Sequence, residues 1–133
     1  MAYRIPNKIP IDLNARVAVG VSLPFNAPGV FNSTYTTRDQ TKSNIINYVL
    51  TNPGERVFNP NFGFGLLRYI FSNINPINLQ NLEEDLAQSI AAIFPNVIVN
   101  NVILTPIYEQ NAINIQITYS ILNNPLETIN ITV

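Results

Sequence analysis

The spacing of hydrophobic and polar positions along this 133-residue chain changes character three times. Residues 1–35 contain Pro6, Pro10, Pro24 and Pro28, which block helix and favour extended backbone. Within that stretch Val17, Val19, Val21 and Leu23 alternate with Ala18, Gly20 and Ser22, the period of two that predicts one short strand. An extended apolar arm is expected over residues 1–35, wrapping the chain's own core or reaching a partner. A helical period follows. Thr37 with Gln40 fits a capping box, Ile45, Ile46, Val49 and Leu50 form an apolar face, and Asn52-Pro53-Gly54 stops the helix. "GLLRYIFSNI" predicts a short second helix ending at Asn75-Pro76. Leu79, Leu82, Leu86, Ile90 and Ile93 recur at spacings of three and four, marking an amphipathic third helix closed by Phe94-Pro95-Asn96. That stripe reads as core packing rather than a cofactor box. The three helices are expected near residues 38–51, 65–74 and 79–94.

Beyond Pro95 the period is two. Ile113, Ile115, Ile117, Tyr119 and Ile121 alternate with Asn114, Gln116, Thr118 and Ser120, as in a sheet with one buried and one wet face. "NVILTPIY" can pair with this run across "EQNA", although Pro106 demands an edge or a bulge. After Asn124-Pro125 the alternation resumes through Ile129, Ile131 and Val133. The expected fold class is α+β: an extended N-terminal arm, about three helices, then an antiparallel three-stranded meander over residues 99–133. Residues 36–133 are read as one domain. The last strand, with Leu126, Thr128, Ile129, Ile131 and Val133, is expected to present an edge that needs cover, since only Glu127 guards it. That strand, or its neighbours Val102–Tyr108 and Ile113–Leu122, is the candidate to receive a strand from a partner.

Composition narrows the chemistry. A net charge of -1 gives no electrostatic footprint for nucleic acid. The absence of cysteine and histidine removes the thiolate nucleophile, the commonest general base and the usual zinc ligands, so no metal or cofactor is expected. Arg4, Lys8, Asp12 and Arg16 interrupt the start, which therefore does not read as a signal peptide, and no apolar run approaches the ~20 residues that span a bilayer. No membrane partner is expected. Only 11% of residues are charged, against roughly 25–35% on ordinary surfaces. Burial in a larger assembly would account for so uncharged a surface.

The segment "NPGERVFNPNFGFG" holds three of the five glycines. It lacks the lysine and spacing of a phosphate loop and the third glycine of a dinucleotide fingerprint. It reads instead as a shaped connector. Gly54 supplies a left-handed residue after the first helix, Pro60 stiffens the turn, and Phe58, Phe62 and Phe64 are expected to anchor the loop to the core. Glu55 and Arg56 pair with each other or bond loop backbone.

Gly54-Glu55-Arg56, Asn59-Pro60-Asn61-Phe62-Gly63, Leu66 and Phe71 resemble the signature of the small baseplate wedge proteins of contractile phage tails, the sheath initiators, shared with type VI secretion systems. The similarity covers about residues 35–133. One departure stands out: where the family often carries a Glu-Pro-Arg turn contacting neighbouring wedge proteins, this chain has Phe94-Pro95-Asn96. The resemblance implies a structural, non-enzymatic protein of the virion's tail baseplate, assembled in the host cytoplasm in several copies around the tail axis. Its implied partners are other wedge proteins and tail sheath subunits, with tail tube proteins as a further candidate. Gly54, Glu55, Arg56, Pro60, Phe62, Gly63, Phe94, Pro95 and Asn96 are the expected loop and turn contacts. Two other readings stand beside this one. One is a connector elsewhere in the virion. The other is a glycoside hydrolase of the tail, because members of this family have been described as lysozyme-like. A hydrolase needs two carboxylates about 5–9.5 Å apart. The candidates are Glu55, Glu83, Glu84, Asp85 and Glu109. Glu83, Glu84 and Asp85 fan around a helix rather than converging, and near its start they would oppose the helix dipole.

Overall fold

The change of hydrophobic period becomes a change of secondary structure in the computed structural model, which describes residues 16–23, 33–70, 75–121 and 125–133. The elements in chain order are β1 (Gly20–Val21), β2 (Ser33–Thr34), α1 (Thr37–Leu50), α2 (Leu66–Ile70), α3 (Pro76–Ile93), β3 (Val97–Ile107), β4 (Ala112–Ile121) and β5 (Glu127–Thr132). The chain is α+β, as expected. It divides into two units, Met1–Ile45 and Ile46–Val133, the division falling inside α1.

In the first unit the alternation around Val17–Leu23 yields only two strand residues, Gly20 and Val21, paired antiparallel with Thr34 and Ser33. Val17 and Val21 are exposed, so the expected apolar stripe is not buried there. Residues 1–15 and 24–32, with Pro6, Pro10, Pro24 and Pro28, lie outside the described residues. The cap of α1 sits one residue earlier than expected. The Asp39 N–H donates to Thr36 Oγ1 at 3.2 Å, and the Thr36 hydroxyl donates to Asp39 Oδ2 at 2.7 Å. Gln40 serves the ribbon instead, accepting from the Thr34 hydroxyl at 2.6 Å.

In the second unit α1 buries Ile46, Tyr48 and Val49, whereas Leu50 is exposed. Helical rotation explains the exchange. Leu50 lies about 100° beyond Val49, off the stripe, while Tyr48 falls on it. α3 begins at Pro76 rather than Leu79, because proline at the first helical position loses no hydrogen bond. Leu82, Leu86 and Ile90 are buried, Leu79 is half-buried, and Ile93 is exposed at the end of the stripe. The earlier start puts Glu83, Glu84 and Asp85 in the helix interior, so the dipole does not explain them. Residues 71–74, including Phe71 and the expected end of the second helix, lie outside the described residues.

The C-terminal sheet has the order β3-β4-β5, antiparallel throughout. Ile113, Ile115, Ile117, Tyr119, Ile121, Ile129 and Ile131 are all buried on one face, joined by Val102 and Leu104 of β3. α3 packs along β3. Ile113 and Val133 exchange both backbone bonds, at 2.7 and 3.0 Å. Antiparallel ladders alternate bonded and non-bonded pairs. The register of Ile115 with Ile131 and Ile117 with Ile129 therefore turns the N–H and C=O of Ile129 and Ile131 inward to β4. Those of Thr128, Asn130 and Thr132 turn outward. Pro106 obeys the same phase on the opposite edge. It pairs with Ile113 at a non-bonded position, where a missing N–H costs no ladder bond. A bulge between Val99 and Asn101 breaks the ladder nearer the start of β3.

Candidate functional site

The loop after α1 is built by backbone closure. The Phe64 and Gly65 N–H groups donate to the carbonyls of Tyr48 and Thr51, each at 3.0 Å, satisfying acceptors that the end of α1 leaves open. Gly63 makes this return possible. Its φ of 117° is left-handed territory, and a Cβ there would overlap the Thr51 carbonyl oxygen. Across the loop, the Gly54 N–H donates to the Pro60 carbonyl at 2.7 Å.

Glu55 and Arg56 turn to different partners. The Glu55 carboxylate accepts the Asn52 backbone N–H at 3.1 Å and the Asn52 amide at 2.7 Å, and the Glu55 N–H returns a bond to the Asn52 carbonyl at 3.2 Å. The Asn52 side chain, then its backbone N–H, hold the Glu55 carboxyl below the usual range; burial opposes the shift and the Arg68 charge assists it. Arg68 also donates to the Pro53 carbonyl at 3.3 Å. The Arg56 guanidinium lies over the Phe62 ring, 3.9 Å from its centroid. Both charges therefore shape the loop.

Phe62 is half-buried and meets Tyr48 edge-on at 5.2 Å; Tyr48 in turn meets Phe94 edge-on at 5.9 Å. Arg56, Phe62, Tyr48 and Phe94 thus form a continuous line that joins the loop to the turn after α3. The two candidate surfaces, separate in the sequence, share one support. Tyr48 was missed because its neighbours Ile46 and Val49 carried the helical pattern without it. In the turn, the Phe94 N–H closes α3 on the Ile90 carbonyl at 2.8 Å and the Val97 N–H returns to the Phe94 carbonyl at 3.0 Å. Pro95 and Asn96 are left exposed at its corner.

Phe58 departs from expectation. It is 102% exposed, and Val57 beside it is 89% exposed, so Phe58 anchors nothing in its own core. Phe64 stacks on Tyr69 at 5.6 Å. The loop holds itself through backbone bonds and Phe62, and it offers Val57 and Phe58 to solvent. The β5 residues divide as the register requires. Ile129 and Ile131 are buried, Val133 is half-buried, Thr128 is exposed, and Leu126, 60% exposed, precedes the strand. β4 is central, with both sides bonded, so the expectation that Ile113–Leu122 receives a strand fails. Leu122 itself lies outside the described residues.

Four of the five candidate carboxylates lie in three separate places, and Glu109 stands exposed in the turn between β3 and β4. Glu55 is bound to Asn52, and Asp85 lines a different concavity from Glu83 and Glu84. Glu83 and Glu84 share one shallow cavity of about 270 Å³, but the Glu83 carboxylate there accepts the Leu104 N–H at 2.8 Å. Among the described residues no cluster of three His, Cys, Asp or Glu side chains could hold a metal, and no helix is long and apolar enough to cross a membrane.

The profile of a family described as baseplate wedge protein gp25 matches residues 34–126. The baseplate wedge protein gp25 of Enterobacteria phage T4 is 25% identical over 84 residues, which are 63% of this chain and 64% of that protein, so under two thirds of that relative's length is spanned. A crystal structure of a candidate tail lysozyme from Geobacter sulfurreducens is similar in fold, with a TM-score of 0.66 at 23% identity over 74% of this chain and 90% of that one. A chain of the anti-feeding prophage baseplate has a TM-score of 0.60 at 24% identity, covering 76% of this chain and 81% of that one.

Proposed function

The chain belongs to the baseplate wedge protein gp25 family, and we propose that it is a structural baseplate component of the virion that joins the baseplate to the tail sheath by strand addition. The observation that carries this reading is the free edge of β5. Thr128, Asn130 and Thr132 turn their N–H and C=O groups away from β4, and no described residue bonds them. Strand addition takes its affinity from such main-chain groups and needs no catalytic side chain. The first sheath subunits would extend this sheet, and copies arranged around the tail axis would template the contractile lattice. The braced loop and the Pro95-Asn96 corner would hold the chain to other wedge proteins. Here the family's charged turn is replaced by Phe94-Pro95-Asn96, so that contact would rest on apolar packing and amide or backbone hydrogen bonds.

The register also selects the test. Proline at Ile129 would remove an inward ladder bond to Ile117 and damage the sheet itself. Proline at Asn130, an exposed position with an outward N–H, blocks the edge and spares that ladder. Baseplates assembled with Asn130→Pro should incorporate the chain and fail to nucleate sheath. Sheath of normal yield on such baseplates would refute docking at β5.

A further inference from the structure

The two edges of the C-terminal sheet are not equivalent. On β3 the same ladder phase turns the backbone groups of Val102, Leu104 and Pro106 outward. Pro106 has no N–H to offer. The Leu104 N–H is already taken by the Glu83 carboxylate of α3, at 2.8 Å. The bulge between Val99 and Asn101 breaks the ladder on the other side of Val102. Beyond the bulge, two of the three outward positions thus offer no free N–H and the third stands next to the distortion; before it, the Val97 N–H is held by the Phe94 carbonyl and Val99 remains outward.

We infer that Glu83 closes the β3 edge and makes this sheet a one-sided strand acceptor, with β5 as its docking edge. A strand approaching β3 would have to displace a charge-assisted hydrogen bond and would then bring its own carbonyls against the Glu83 carboxylate. Charges placed at an edge in this way are a known barrier to unwanted pairing. β5 has no such barrier beyond Glu127 at its start. The same geometry describes the segment that fits β5. Its side chains must alternate, apolar next to Ile129 and Ile131 on the buried face and uncharged polar next to Thr128, Asn130 and Thr132 on the open face. The biological use of this asymmetry rests on the strand-addition reading; its test does not.

The test uses the isolated 133-residue chain. With one open edge, self-association by edge pairing closes at a dimer; with two, it continues into chains. Light scattering over a concentration series should show wild type and Glu83→Gln, which keeps an acceptor oxygen, reaching dimers and no further. Glu83→Ala and Glu83→Lys should grow beyond dimers, and Asn130→Pro should remain monomeric. Adding Asn130→Pro to Glu83→Ala should return the limit to dimers. Thr128→Pro, at an outward position near the start of the strand, stands in if Asn130→Pro does not fold. Amide hydrogen exchange provides the local readout: the Leu104 amide should exchange tenfold faster or more in Glu83→Ala than in wild type. Glu83 variants that release the Leu104 amide yet associate no further than wild type would overturn the inference. So would a wild-type chain that polymerises, or one that stays monomeric to millimolar concentration. If these results hold while Asn130→Pro baseplates still nucleate sheath, the proposed function fails and the one-sided edge stands.

Discussion

Replacing Phe62 by leucine tests whether the line of side chains from Arg56 to Phe94 holds the loop in shape. Leucine keeps an apolar side chain at this half-buried position and removes both ring interactions. The edge-on contact with Tyr48, at 5.2 Å and 77°, contributes about 0.5–1.5 kcal/mol beyond burial. The guanidinium at 3.9 Å from the ring centroid contributes about 0.5–1 kcal/mol at an exposed site. Phe62→Leu should therefore cost about 1–2.5 kcal/mol, which lowers Tm by roughly 3–10 °C in a domain of this length. Urea unfolding of wild type, Phe62→Leu, Arg56→Gln and the double variant isolates the pair. Arg56 and Phe62 should couple by about 0.5–1 kcal/mol, with Arg56→Gln nearly silent once Phe62 is gone. Strict additivity, or a Phe62→Leu effect within about 0.5 kcal/mol of zero, would show that the line does not brace the loop.

Gly63→Ala should destabilise by about 1–3 kcal/mol, since it places a Cβ against the Thr51 carbonyl at φ 117°; thermal unfolding decides, and a neutral result would contradict the closure described. Glu55 has a folded pKa below its unfolded value, so its contribution is complete above the unfolded pKa and is lost as pH falls through the folded one. Carboxyl NMR should give a Glu55 midpoint below the ordinary glutamate range, and Glu55→Gln should loosen the loop; glycan hydrolysis abolished by that substitution would favour an enzyme. Phe58→Ser should leave Tm unchanged, because the side chain is fully exposed, while reducing incorporation into baseplates. A fall in Tm, or unimpaired incorporation, would contradict the exposed tip.

Periodicity carried most of the fold. The stripe of α3 and the alternation of β4 each bury one face continuously, so hydrophobic spacing reports them directly. Pro106 marked an edge strand for the same local reason. What spacing could not convey was phase and partner choice. Whether proline at Ile129 or at Asn130 blocks an edge depends on which pairs of the ladder are hydrogen-bonded, and alternation is identical for both phases. Glu83 looked like an ordinary helix acid, because its partner is a backbone N–H on β3, distant along the chain. Phe58 and Phe62 were alike in sequence, yet Phe62 faces Tyr48 and Phe58 faces solvent. The β1–β2 ribbon shrank to two residues per strand because alternation alone does not supply a partner of matching length.

Docking at β5 is tested most directly by a particle map of the assembled tail in which this chain can be traced beside the tube and the first sheath ring. Such a map should show an extended sheath segment bonded to the outward N–H and C=O groups of Thr128, Asn130 and Thr132, with the β3 edge beside Glu83 left unpaired. A map with β5 distant from every sheath subunit, or with the added strand on β3, would contradict it.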